Sequence, residues 1–166
     1  IKKKDNVITT MPFSYTYGMS IINSHLMRSA NIFVYSGSVI QKNFFDILKK
    51  FKITTFGGVP YIYKLLIKIG LERLKIKTLK YITHAGGALD SNSLLQLYRF
   101  CKQNNLEFIS MYGASEATSR MSYLPWSECR KKIGSIGIPI PGTTMEISRP
   151  DNKKIGEIIF KGKNVS

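Results

Sequence analysis

Residues 80–112 read KYITHAGGALDSNSLLQLYRFCKQNNLEFISMY, and their order decides the fold. A β-branched and aromatic run at 80–83 leads into Gly86-Gly87 and then Asp90-Ser91, either of which can cap a helix. Leu94, Leu97, Tyr98 and Cys101 follow at helical spacing. A second strand-like run occupies 108–112. Strand, loop, helix and strand in this order make a βα unit of a mainly parallel sheet.

The same alternation extends upstream. Strand-like runs lie at 31–35 and 53–56. Helical stripes are spaced at Phe44, Ile47, Leu48 and Phe51, and at Ile62, Leu65, Leu66 and Ile69, with Pro60 suited to a first helical position. An earlier stripe, Met19, Ile22, Leu26 and Ala30, predicts a further helix with that face inward. The strand runs are near-continuous rather than alternating, as expected of strands covered on both faces. Beyond residue 133 the character changes: Gly134, Gly137, Pro139, Pro141 and Gly142 crowd together. Two strand-like runs follow, 144–148 and 155–160, with turn chemistry between them at 149–154. The fold class is therefore α/β: a mainly parallel sheet flanked by helices, then the start of a small β-rich subdomain. The division falls into an α/β unit at 1–132 and an opening β-hairpin at 133–166.

Composition narrows the function. The 166 residues carry 25 Lys+Arg against 10 Asp+Glu, a net charge of +15, and 43% are hydrophobic, which is globular. The basic residues are spread along predicted helix faces, so a solvated surface explains them better than a nucleic-acid footprint. No apolar stretch is long enough to span a bilayer, and no secretory signal opens the chain. Two cysteines and two histidines make neither a disulfide framework nor a histidine-rich metal site. Cys101 reads as core, Cys129 as a surface loop residue and His25 as a helix-surface residue. GEIIFKGK at 156–163 fails as a Walker loop, because five residues separate its glycines and Asn164 follows the lysine.

In βα proteins ligands gather at the carboxyl ends of the strands. Two such ends have unusual composition. In HAGGALD, 84–90, paired glycines either admit a flat ligand close to the backbone or simply make a tight turn, and His84 stands beside them. In MYGASEAT, 111–118, Tyr112 offers a ring face for a base and Ser115 a hydroxyl for phosphate. Glu116 offers a hard oxygen for a Mg2+ that rides on nucleotide phosphates. The same residues also suit a helix start, with Ser115 as N-cap.

YGASEAT at 112–118, followed by RMSYLP at 120–125, resembles the adenine- and magnesium-binding motif of the adenylate-forming, or AMP-binding, superfamily of acyl-acid ligases. PFSYTYG at 12–18 resembles its aromatic substrate-gate motif, GGVP at 57–60 its substrate-pocket strand end, and GGA at 86–88 its glycine loop. GSIGIPIPG at 134–142 and GEIIFKG at 156–162 resemble its downstream motifs. Six motifs in family order cover nearly the whole chain.

The resemblance implies roles. Tyr112 would stack on adenine, with Gly86, Gly87, Ala88 and Gly113 lining the nucleotide and acyl pocket. Ser115 would hydrogen-bond the α-phosphate, and Glu116 would hold Mg2+; these two are the candidate catalytic residues. Tyr15, Gly57, Val59, Pro60 and Met111 would border the acid. Tyr15 keeps a ring where many relatives carry histidine, so it is given no proton-transfer role. The substrates would be ATP, leaving as AMP, and a small-molecule carboxylic acid. The acceptor would be the thiol of coenzyme A or phosphopantetheine. The stretch 111–125 is similar to bacterial fatty-acid ligases, which implies a fatty or other apolar acid.

The family's phosphate loop, ribose-binding aspartate and catalytic lysine match nothing in these residues. The resemblance therefore makes the chain a middle section of a large N-terminal domain. Its partners would be the rest of that domain and a mobile C-terminal domain, in a cytoplasmic enzyme, and the chain alone is expected to be inactive. The alternatives are a basic α/β binding module and a remnant that binds an acyl-nucleotide without turnover.

Overall fold

A computed structural model describes residues 1–149 and 155–165. Five parallel strands form the body of the sheet: β1 (Asn6–Thr9), β2 (Asn31–Val34), β3 (Thr55–Gly58), β4 (Tyr81–His84) and β5 (Glu107–Tyr112). Two short antiparallel strands, β6 (Ser122–Tyr123) and β7 (Ile138–Pro139), extend it, in the order β2-β1-β3-β4-β5-β6-β7. The helices α1 (Thr16–Leu26), α2 (Lys42–Lys50), α3 (Pro60–Ile69) and α4 (Ser91–Gln103) connect consecutive parallel strands. A separate antiparallel pair, β8 (Thr144–Ser148) and β9 (Glu157–Lys161), stands apart. The fold is thus the expected α/β arrangement. The seven-stranded sheet runs past residue 133 as far as Pro139, and the turn residues 150–154 lie outside the described residues.

The sheet's two faces are covered unequally. Ile8, Phe56, Ile82 and Phe108 sit at alternate positions of β1, β3, β4 and β5 and are fully buried. They pack with Phe44 and Leu48 of α2, Tyr63 and Leu66 of α3, and Leu97 and Cys101 of α4 in one core. Among the described residues the other face carries α1 alone, over a smaller cluster of Val7, Met11, Tyr17, Ile21 and Ala85. β2 is an edge strand, and Val34 is 66% exposed, so full coverage of every strand does not hold there.

α3 and α4 begin as their sequences predict. Pro60 opens α3, where its missing N–H costs nothing. Asp90 caps α4, accepting from Ser93 N–H at 2.9 Å and from the Ser93 hydroxyl at 2.8 Å. α1 is different. Met19 and Leu26 of the stripe face outward, with Leu26 60% exposed, Ile22 is half-buried, and Ala30 lies beyond the helix. Tyr17, Gly18, Ile21 and His25 face inward instead. Gly18 sits against the Pro12 carbonyl, where a Cβ would stand 2.5 Å from the oxygen, and this close approach sets the rotation of the helix. His25 is therefore buried rather than on the surface. Cys129 is likewise in the core, where burial pushes its thiol up. β1 was not anticipated: its four residues follow the basic Lys2-Lys3-Lys4 run yet fill the slot between β2 and β3.

Candidate active site

Because β1 to β5 are parallel, the loops that leave their carboxyl ends meet at one rim of the sheet. Tyr15 comes from the β1–α1 loop, Val59 and Pro60 follow β3, Gly86–Ala88 follow β4, and Gly113 follows β5. A cavity of about 420 Å³ opens there, lined by Gly86, Gly87 and Ala88 and by Met111, Tyr112 and Gly113. Ser135 and Ile136, just before β7, line it as well.

The glycine loop is shaped by what lies behind it. Gly86 has φ +81°, and a Cβ there would collide with the Tyr15 hydroxyl and stand 3.1 Å from Val59 Cγ1. At Gly87 the same test meets Pro60 Cγ at 3.2 Å. Tyr15, Val59 and Pro60 thus form the backing of the loop. Gly113 is needed for another reason: a Cβ would strike the Ser119 carbonyl, because the chain folds straight back to pair Met121 N–H with the Tyr112 carbonyl at 2.9 Å.

Ser115 and Glu116 do not line that cavity. They lie in a three-residue 3-10 turn, residues 115–117, that ends at Thr118 in the left-handed region, φ 51°. Ser115 caps no helix, so the helix-start alternative does not hold. Its hydroxyl sits 3.2 Å from Thr16 Oγ1 at the start of α1, in an open groove that Arg120 also lines. Both Ser115 and Glu116 are exposed. Among the described residues, no group of three or more His, Cys, Asp or Glu side chains could hold a metal ion. One exposed carboxylate beside a hydroxyl fits Mg2+ of the kind held mostly by phosphates and water, and does not fit a protein cage.

His84 forms the buried floor of the cavity. Burial pushes its imidazole down to about 4, so the ring is neutral at pH 7. Nδ1 lies 3.3 Å from Ser110 Oγ, and Nε2 has no partner. Gly57 lies apart, on the wall of a second cavity of about 320 Å³ under α1, with Ile21, Thr83, Met111 and Arg120. Met111 lines both cavities. Tyr17 and Thr83 are tied there by a 2.6 Å hydrogen bond.

Thr16, Ser110, Ser135 and Arg120 were not singled out as site residues from sequence. RMSYLP at 120–125 contains Arg120, but nothing in that string shows that the chain turns back at Ser119 and carries the guanidinium under the sheet.

A family profile described as AMP-binding enzyme matches residues 1–166. The 2-succinylbenzoate–CoA ligase of Enterococcus faecalis is 25% identical over 170 residues, covering 99% of this chain and 34% of that protein. An uncharacterised acyl–CoA ligase of Bacillus subtilis is 29% identical over 162 residues, covering 95% of this chain and 30% of that protein. The chain spans about a third of the length of the curated relatives it matches. Among solved structures, o-succinylbenzoate CoA synthetase of Bacillus subtilis, with its acyl-adenylate intermediate, superposes with a TM-score of 0.84 at 20% identity. That match covers 99% of this chain and 34% of the synthetase, and the synthetase has also been solved with ATP and magnesium ion.

Proposed function

Because the chain belongs to the AMP-binding enzyme family, we propose that the protein carrying it is an AMP-forming ligase. It joins a carboxylic acid to a thiol at the expense of ATP. The carboxylate oxygen bonds to the α-phosphorus, the bond from that phosphorus to the bridging oxygen breaks, and pyrophosphate leaves. The thiol sulfur, of coenzyme A or a carrier phosphopantetheine, then takes the acyl carbon, and AMP leaves. One observation supports this reading: Gly86–Ala88 and Tyr112–Gly113 line a single cavity at the strand ends.

Each residue has a part in it. Tyr112 stacks on adenine, with Gly86, Gly87 and Ala88 giving the base close access to backbone. Ser115 donates to an α-phosphate oxygen, and its contact with Thr16 Oγ1 holds the hydroxyl in the open groove at the start of α1. Glu116 supplies one carboxylate oxygen to Mg2+, which when bound neutralises phosphate charge. Tyr15, Val59 and Pro60 hold the loop against which the acid lies, and Gly57 and Met111 border its tail. Most of the barrier is met by positioning and fixed charge, which demand rigid backing more than proton transfer. Arrays such as Gly86 against Tyr15 provide that backing.

The whole protein acts in the cytoplasm, where ATP is made and used. No helix among the described residues is long and apolar enough to cross a membrane. The 1–132 and 133–166 units serve as the site's frame and the start of a neighbouring β unit, with β7 joining them. ATP–pyrophosphate exchange by the full-length protein tests the reading. Exchange that depends on a carboxylic acid and is lost in Glu116→Gln supports it. Residues 1–166 alone are expected to show no exchange, and a normal rate from them would overturn that part.

A further inference from the structure

We propose that the acid carries a second anionic group at its far end, and that Arg120 reads it. This rests on the acid-activating reading above. The second cavity lies under the sheet face that α1 covers, and Met111, shared with the nucleotide cavity, stands between the two. An acid whose carboxylate sits at the strand ends passes Met111 and Gly57 and extends into it. Most of its walls are apolar: Val7, Ile21 and Ile109.

Arg120 breaks that pattern. Among the described residues its Nε is buried without a hydrogen-bond partner, and the guanidinium's hydrogen bond is a long one, from Nη2 to Ser24 Oγ at 3.4 Å. Among the described residues the ion pairs are Lys64–Asp90 and Lys80–Asp5, and neither involves Arg120. Asp5, the buried carboxylate beside β1, is held by Lys80 at 2.6 Å. Glu107 is the one carboxylate that lines the cavity. It is exposed at the far end of β5, four residues and roughly 13 Å along the strand from Met111. Burial pushes the guanidinium below its usual range, and Tyr17 and Tyr81 offset this only in part.

Two more polar atoms share this cavity. His25 Nδ1 is 2.7 Å from the Ile21 carbonyl oxygen, so Nδ1–H donates and Nε2 is left as a buried lone pair without a partner. The Tyr81 hydroxyl is buried beside Thr55 without a well-formed hydrogen bond. Arg120 is half-buried and also lines the open groove beside Ser115, but its enclosed Nε has no partner among the described residues, an unmet donor that a plain fatty chain would leave unmet at a cost. A carboxylate or comparable oxyanion on the substrate relieves it through a two-point contact with the guanidinium. The geometry thus turns the expected apolar acid into one with an apolar middle and an anionic end.

The experiment uses the full-length protein and length-matched acids, hexanoic against hexanedioic and octanoic against octanedioic, in ATP–pyrophosphate exchange. Wild type is expected to favour the diacid by about 100-fold or more in kcat/KM, since a site built for a polar group rejects the analogue lacking it. Arg120→Gln is expected to collapse that ratio to near one, and Arg120→Lys to restore part of it. Melting temperatures check that the variants fold. If Arg120→Gln does not fold, the wild-type ratio and Arg120→Lys decide. Mono- and diacids exchanging within about threefold in wild type would overturn this inference and leave the ligase reading standing. Exchange with no acid at all would overturn the ligase reading, and this inference with it.

Discussion

Substituting Gly86 by alanine should do two separable things. The residue has φ +81°, where a side chain costs about 1–2 kcal/mol. The new Cβ also overlaps the Tyr15 hydroxyl and comes within 3.1 Å of Val59 Cγ1. The hydroxyl is the far end of a side chain that can swing, so relieving the overlap costs about 1 kcal/mol rather than several. Gly86→Ala is therefore expected to destabilise by about 2–3 kcal/mol. Tyr15→Phe removes the atom that the Cβ strikes. It should be nearly neutral alone, because the Tyr15 hydroxyl appears in none of the described hydrogen bonds. In the double variant the φ cost stays and the overlap largely disappears, giving a coupling of about 1 kcal/mol. Thermal or denaturant unfolding of the four proteins measures it. Additivity within about 0.3 kcal/mol would refute the claim that Tyr15 backs the glycine loop. A fifth protein, Gly113→Ala, serves as a contrast: its Cβ meets the Ser119 carbonyl, which is backbone and cannot swing, so Tyr15→Phe should not rescue it.

The other predictions concern single groups. Thr83→Val leaves the buried Tyr17 hydroxyl without its 2.6 Å partner and should cost about 1–3 kcal/mol, whereas Tyr17→Phe should cost about 1 kcal/mol, both by unfolding. His84 is held neutral, its folded pKa depressed to about 4 against an ordinary 6.5. The unfolded chain therefore binds the extra proton first. Stability from this group is full above pH 6.5 and falls as pH drops from 6.5 toward 4, with a loss on the order of 2 kcal/mol by pH 5. His25 titrates in the same direction, so the measurement is the difference between wild type and His84→Phe. An equal pH slope in both would contradict it. Glu116→Gln should abolish acid-dependent exchange while the protein still unfolds in one cooperative transition, because the exposed carboxylate lies outside the core.

Local signals in the chain carried far. Pro60 and Asp90 mark the starts of α3 and α4, since a first-turn proline and an N-cap carboxylate act within one turn of helix. The parallel order of β3, β4 and β5 followed from strand and helix alternating. The glycine pair and the Tyr112 strand end were legible because close approach to a ligand requires those residue types. What escaped depends on which distant atoms meet. α1 carries hydrophobic residues on both faces, so its periodicity could not say that Ile21 and His25 turn inward while Met19 and Leu26 turn out. That choice is made by Gly18 against the Pro12 carbonyl. β1 is too short to announce itself and becomes a strand only because β2 and β3 lie on either side of it. Cys129 looked like a loop thiol and is buried because the turn at 126–128 packs on the core. Arg120 read as one basic residue among twenty-five. Only the fold-back at Ser119 brings it to the same cavity as Gly57 and Ile21, with its Nε enclosed and unpartnered among the described residues. Residue type and spacing determine which groups can do chemistry, while burial and partnership are properties of the folded chain alone.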